Sequence, residues 1–98
     1  MNKKAQSTTI RTETREKDGF EYEYRLTQSR GSRVASYGIP LYSISIKMST
    51  ETGEEISRSD AKSLFSDQGK AVAFFERMVD NLATPIDLKY IIEDELSN

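Results

Sequence analysis

Several groups of residues in this chain are of types that carry out chemistry. Arg30 and Arg33 flank Gly31 in the polar stretch Ser29-Arg30-Gly31-Ser32-Arg33, with Arg25 close by in sequence. Two guanidinium groups beside a glycine can hold a phosphate or carboxylate through charge-assisted hydrogen bonds, so Arg30 and Arg33 are candidate anion contacts. The stretch does not lead into a helix N-terminus, so it lacks the phosphate-cradling arrangement. A solvated hairpin loop explains the same composition. Glu93, Asp94 and Glu95 are an acidic run of the kind used for acid–base work or hard cations. Adjacent helical residues diverge by about 100° and do not converge on one ion, which favours a solvated helix end. Ser66 and Lys70 would make a nucleophile–base pair only with a desolvated lysine; a capping serine and an exposed lysine account for both. Tyr22 and Tyr24, with arginines nearby, have the look of a base-stacking sheet. They share one strand face with Phe20 and Leu26, which marks them as core.

Two absences narrow the chemistry further. The chain has no histidine and no cysteine. It therefore cannot build a Ser-His-Asp or Cys-His arrangement, a disulfide, or a Cys- or His-based zinc site. Only carboxylate and carbonyl oxygens remain as metal ligands, and those favour calcium, magnesium or manganese. No cofactor fingerprint is present, so no cofactor, no metal site and no enzymatic activity are expected. The net charge of -2 exerts no global attraction on nucleic acid or an anionic membrane. Met1-Asn2-Lys3-Lys4-Ala5-Gln6-Ser7-Thr8 has two lysines but no apolar run behind them, unlike a signal peptide. No stretch approaches the roughly 20 apolar residues of a membrane span. A cytoplasmic protein with no membrane partner is the expectation.

The elements that position these residues fall into a β half and an α half, divided near residue 60. Residues 1–7 read as a flexible N-terminus and 8–98 as a single α+β domain, within the size of one domain. Phe20-Glu21-Tyr22-Glu23-Tyr24-Arg25-Leu26-Thr27 alternates strictly and predicts a half-buried antiparallel strand with Phe20, Tyr22, Tyr24 and Leu26 inward. The run from Thr8 to Arg15 is rich in threonine and charge, with only Ile10 to bury, and reads as an edge strand. The turn at Lys17-Asp18-Gly19 admits two registers. A three-residue loop pairs Glu16 with Phe20 and Ile10 with Leu26. A two-residue Asp18-Gly19 loop puts Arg15 opposite Tyr22 and Glu13 opposite Tyr24. The first is preferred because it keeps the charges on one face.

A third strand is expected from about Val34 to Met48, with Tyr42, Ile44, Ile46 and Met48 on one parity. Tyr37, Ile39 and Leu41 lie on the other, and Gly38 and Pro40 mark a bulge or bend between them. The turn Glu51-Thr52-Gly53 leads to a short fourth strand around Ile56. Asp60 to Phe65 is open to two readings, an extra helical turn or part of the helix that follows. A helix over 67–82, starting at Ser66-Asp67, carries Ala71, Phe74, Phe75, Met78, Val79 and Leu82 at helical spacing. The second helix has the clearest start, with Thr84 as N-cap, Pro85 at the first helical position and Asp87 in the first turn. Leu88, Ile91, Ile92 and Leu96 form its apolar face. The short connection makes the two helices antiparallel neighbours, and the fold is an antiparallel ββββαα meander with the helices on one face.

Tyr24-Arg25-Leu26, Tyr37-Gly38-Ile39 and the set Pro85, Leu88, Ile91, Glu93 and Asp94 resemble the pattern of a family of small uncharacterised proteins, a domain of unknown function, from Gram-positive, largely anaerobic bacteria. The likeness spans roughly residues 20–96 and implies no activity, so no functional residue carries over.

By elimination, the expected role is a non-enzymatic protein-interaction or regulatory module whose partner is another protein or its own copy as a homodimer. Tyr37, Ile39 and Leu41 are its candidate interface: if the chain bulges at Gly38–Pro40 they join the core, and otherwise they form an apolar stripe on the outer sheet face. The competing expectation is weak nucleic-acid binding through Arg11, Arg15, Arg25, Arg30 and Arg33.

Overall fold

The structure, a computed structural model, describes residues 7–30 and 38–96, with side chains as far as Asp94. Four antiparallel strands form one open sheet in the order β1-β2-β3-β4, followed by two helices. They are β1 (Thr8–Lys17), β2 (Phe20–Arg30), β3 (Pro40–Thr50), β4 (Glu55–Phe65), α1 (Gln68–Asp80) and α2 (Pro85–Leu96). The expected frayed N-terminus, apart from Ser7, lies outside the described residues.

The alternation in β2 and β3 places the core. Tyr22, Tyr24 and Leu26 from β2, and Tyr42, Ile44 and Ile46 from β3, are buried against Ala71, Phe74, Phe75, Met78 and Val79 of α1, with Ala83 and Leu88. Phe20 and Met48 are half-buried at its border. The register runs without a break from Phe20↔Thr50 to Arg30↔Pro40. Tyr24 is wholly buried, and its hydroxyl donates to the Ala83 carbonyl at 2.8 Å. That bond ties the central sheet to the connection between the helices. Burial raises the Tyr24 phenol to about 12, because the apolar surroundings disfavour the phenolate.

The β1–β2 register corrects the preferred expectation. Lys17 pairs with Phe20, Arg15 with Tyr22, Glu13 with Tyr24 and Arg11 with Leu26. The loop has two residues, Asp18 (φ 55°) and Gly19 (φ 82°). Two consecutive left-handed residues make a type I′ turn, whose twist matches that of the strands it joins. The expected objection was that charges would then face the helices. They do face them, and they are accommodated by pairing: Arg11 and Arg15 bond Glu13, and Arg11 also bonds Glu76 and lies over the Phe75 ring, while a bulge between Thr9 and Arg11 lets Ile10 pack on the core as well.

The fourth strand corrects a second expectation. It runs to Phe65, so Asp60–Phe65 is strand and not helix. Irregularities in its pairing with β3 fall at both ends, between Met48 and Ser49 and between Tyr42 and Ile44. The second leaves Ser63 at φ 54°, with its N–H donating to Ser43 Oγ at 2.9 Å, and turns Leu64 and Phe65 toward the core. The Phe65 ring lies 5.3 Å from that of Phe74.

The helix starts follow local capping chemistry. Asp67, not Ser66, caps α1 by accepting from the Lys70 N–H at 2.9 Å. Thr84 Oγ1 accepts from the Asp87 N–H at 3.2 Å, and Asp87 accepts from the Thr84 N–H at 3.0 Å. This reciprocal pair is a capping box. Between the helices Leu82 has φ 53°, and the Ala83 N–H donates back to the Met78 carbonyl, which closes α1 in a Schellman motif.

Candidate functional site

Among the described residues, those singled out for chemistry do not assemble. Lys70 and Ser66 are exposed at the start of α1, so the lysine lacks the desolvation a nucleophile–base pair needs. Among the described residues no group of three or more carboxylates converges as a metal site. Glu93 and Asp94 are exposed on α2 and engaged with their surroundings. Tyr22 and Tyr24 belong to the buried side of the sheet, where no base can stack.

Of the five arginines considered for nucleic acid, Arg11, Arg15 and Arg25 are held by the chain's own carboxylates. Arg11 donates to Glu76 at 3.1 Å and Glu13 at 3.2 Å, with its guanidinium 5.5 Å from the Phe75 ring centroid. Arg15 donates to Glu13 at 3.2 Å. The hydrogen bonds from Arg11 and then Arg15 hold the Glu13 carboxyl below the usual carboxylate range. Arg25 and Lys47 share Glu23 on the open face of the sheet. Burial raises that carboxyl, but the hydrogen bonds and charge of Lys47 and Arg25 outweigh it, so Glu23 also lies low. Arg30 is exposed and donates to the Gly38 carbonyl at 2.7 Å; Arg33 lies outside the described residues.

The apolar candidates are divided. Tyr37 lies outside the described residues. Ile39 is 42 % exposed, and Leu41, paired with Ser29, lies on the open face of the sheet and is half-buried. Neither belongs to the core cluster, and β3 has no bulge against β2.

A larger exposed apolar surface lies elsewhere, and the sequence reading passed over it. Ile86 is 71 % exposed and Tyr90 63 % exposed. They stand four residues apart on α2, off the stripe that Leu88 and Ile92 bury, and so form a common helix face. With Pro85 and Lys89 they line a shallow groove against Ser57, Arg58 and Ser59 of β4. Since β4 is the last strand of the sheet among the described residues, this groove runs beside a strand edge that no described strand pairs. The signal was present in the sequence: two large apolar residues at i, i+4 that the core stripe does not use.

A family model matches residues 3–98 of the chain. The chain belongs to a family of unknown function, DUF6514. The match spans the sheet and both helices, so the family pattern covers the core, the β4 edge and the exposed face of α2 together. Comparison with curated proteins and with solved structures gives no match. No helix among the described residues is long and apolar enough to cross a membrane.

Proposed function

We propose that this domain is a non-enzymatic protein-interaction module that makes its contact through the edge of β4 and the adjoining face of α2. One observation carries the reading. Ile86 and Tyr90 are the two most exposed large apolar side chains described, and they flank a strand edge with unpaired backbone groups. Large apolar side chains clustered on a surface mark contact sites, and a free edge offers a ladder of donors and acceptors to an incoming strand. Ile39 and Leu41 make a smaller, secondary candidate at the opposite end of β3. Nucleic-acid binding is the weaker reading, because Arg11, Arg15 and Arg25 are already neutralised by Glu13, Glu23 and Glu76. A cytoplasmic setting, in a Gram-positive and largely anaerobic bacterium, is part of the proposal. It is supported by the lack of cysteine and by the family likeness.

The test places a photo-crosslinking residue at position 86, at position 39 or, as a control, at Thr14 on β1, in the cells that make the protein. Discrete protein adducts from position 86 and none from position 14 are expected. No adduct from position 86 would remove this surface, and adducts from position 39 alone would move the site to the start of β3.

A further inference from the structure

We infer that the partner at this edge is a second copy of the chain, paired β4 to β4 in antiparallel fashion about a two-fold axis through Ser59; the inference rests on the reading of the β4 edge and α2 as the contact surface. Three features meet at Ser59. The unbroken part of the β4 ladder is Ser57–Ala61, which pairs with Met48–Ile44 between the two irregularities. Bulges twist a strand and interrupt pairing, so an added strand has this stretch to use, and Ser59 is its middle residue.

The stretch is also complementary to itself. In an antiparallel pair centred on Ser59, Arg58 stands opposite the partner's Asp60, and Asp60 opposite the partner's Arg58. Both side chains are exposed and lie on the open face, as their pairing with Lys47 and Ser45 shows. Opposite charges directly across a ladder are favourable and like charges are not. Within one chain these groups are only loosely paired, with Arg58 Nε 3.7 Å from Asp60 and Nη1 3.9 Å from Glu55. Exchanging the internal contact for the cross-strand one therefore gives up little. On the helix side Ser57 meets the partner's Ala61 and Ser59 meets its own copy, small residues that leave room for the layer above.

The third feature is spacing. Strands lie about 4.8 Å apart, so two copies of a helix that covers two strands, as α2 does, would sit roughly 10 Å apart across a shared edge, within the range at which helices pack. Helix α1 lies on β2, β3 and β4, and α2 on β3 and β4. The two-fold axis sets a second α2 beyond the shared edge at that same interval, facing Ile86 and Tyr90. A bare peptide strand would complete the ladder but leave those side chains uncovered, whereas a second copy answers both. Lys89, which lines the same groove, is exposed and long enough to turn its ammonium to water.

The experiment is sedimentation of the full chain over a range of concentrations up to about 1 mM. A concentration-dependent mass approaching twice 11.2 kDa is expected. Arg58→Asp and Asp60→Arg should each weaken association about tenfold, and the double swap should restore it to within about threefold. Tyr90→Glu should weaken it as well, with circular dichroism and melting of the dilute protein unchanged. A chain of single mass throughout would overturn the dimer. Crosslinks from position 86 to proteins of other mass would then keep the interaction surface while assigning it a different partner. A dimer indifferent to Arg58→Asp and to Tyr90→Glu would overturn the β4 two-fold.

Discussion

Among the described residues strands β1 and β4 each leave one side of their backbone unpaired, yet they carry opposite chemistry beside it. On the helix-facing side β1 holds Arg11, Glu13 and Arg15, joined to one another and to Glu76. In β4 that side holds Ser57, Ser59 and Ala61, under a helix that exposes Ile86 and Tyr90. Inward charges are a device that discourages a further strand. Small residues on the unbroken stretch Ser57–Ala61 do not discourage one. The difference shows how a meander of this size can protect one edge and keep the other available for contact.

The largest expected effect strikes the β4 side from within. Leu88 is buried beneath α2, and Leu88→Ala should cost about 2–5 kcal/mol through lost burial and a cavity. Denaturant unfolding measures the loss, and hydrogen exchange should show β4 and α2 opening before β1 and β2. A uniform loss of protection would mean that α2 is not an independent support of that edge. Thr84→Ala comes next, at about 1 kcal/mol, because Thr84 and Asp87 satisfy each other's backbone donors at the start of α2. An unchanged unfolding midpoint would show the capping box to be without weight.

On the β1 side, Arg11→Ala should cost only about 0.5 kcal/mol, since its ion pairs are exposed and screened. It should have a sharper signature in titration. With Arg11 gone, the Glu13 carboxyl should rise toward its ordinary value of 4.5, which NMR of the side-chain carboxyl would follow. In the intact protein the folded Glu13 lies below that value, so its contribution is present at neutral pH and fades as pH falls through the folded value. A Glu13 titration unmoved by Arg11→Ala would show that the charged network does not organise this edge. The smallest effect belongs to Ile86→Ser, which should leave the stability of the dilute chain within about 0.5 kcal/mol. A loss comparable to that of Leu88→Ala would make Ile86 a core residue and end the contrast between the edges.

How much of this was legible in the sequence depends on the range of the interaction involved. The period-two alternation of Tyr22, Tyr24 and Leu26, the helical stripe from Ala71 to Val79 and the Thr84-Pro85-Ile86-Asp87 start are local patterns. Each identifies its element and its buried face without reference to the rest of the chain, so the α+β order of four strands and two helices could be read directly. The register of β1 was decided by tertiary structure. The cost of turning Arg11 and Glu13 toward the helices depends on whether Glu76 and the Phe75 ring lie within reach, and they are more than sixty positions away. The length of β4 was likewise decided by its neighbour, because Asp60-Ala61-Lys62-Ser63-Leu64-Phe65 has no period of its own and becomes strand by pairing with β3. Ile86 and Tyr90 could be named from sequence as apolar residues off the core stripe. Their place beside an open edge follows from the strand order, which sets β4 last in the sheet and lays α2 along it.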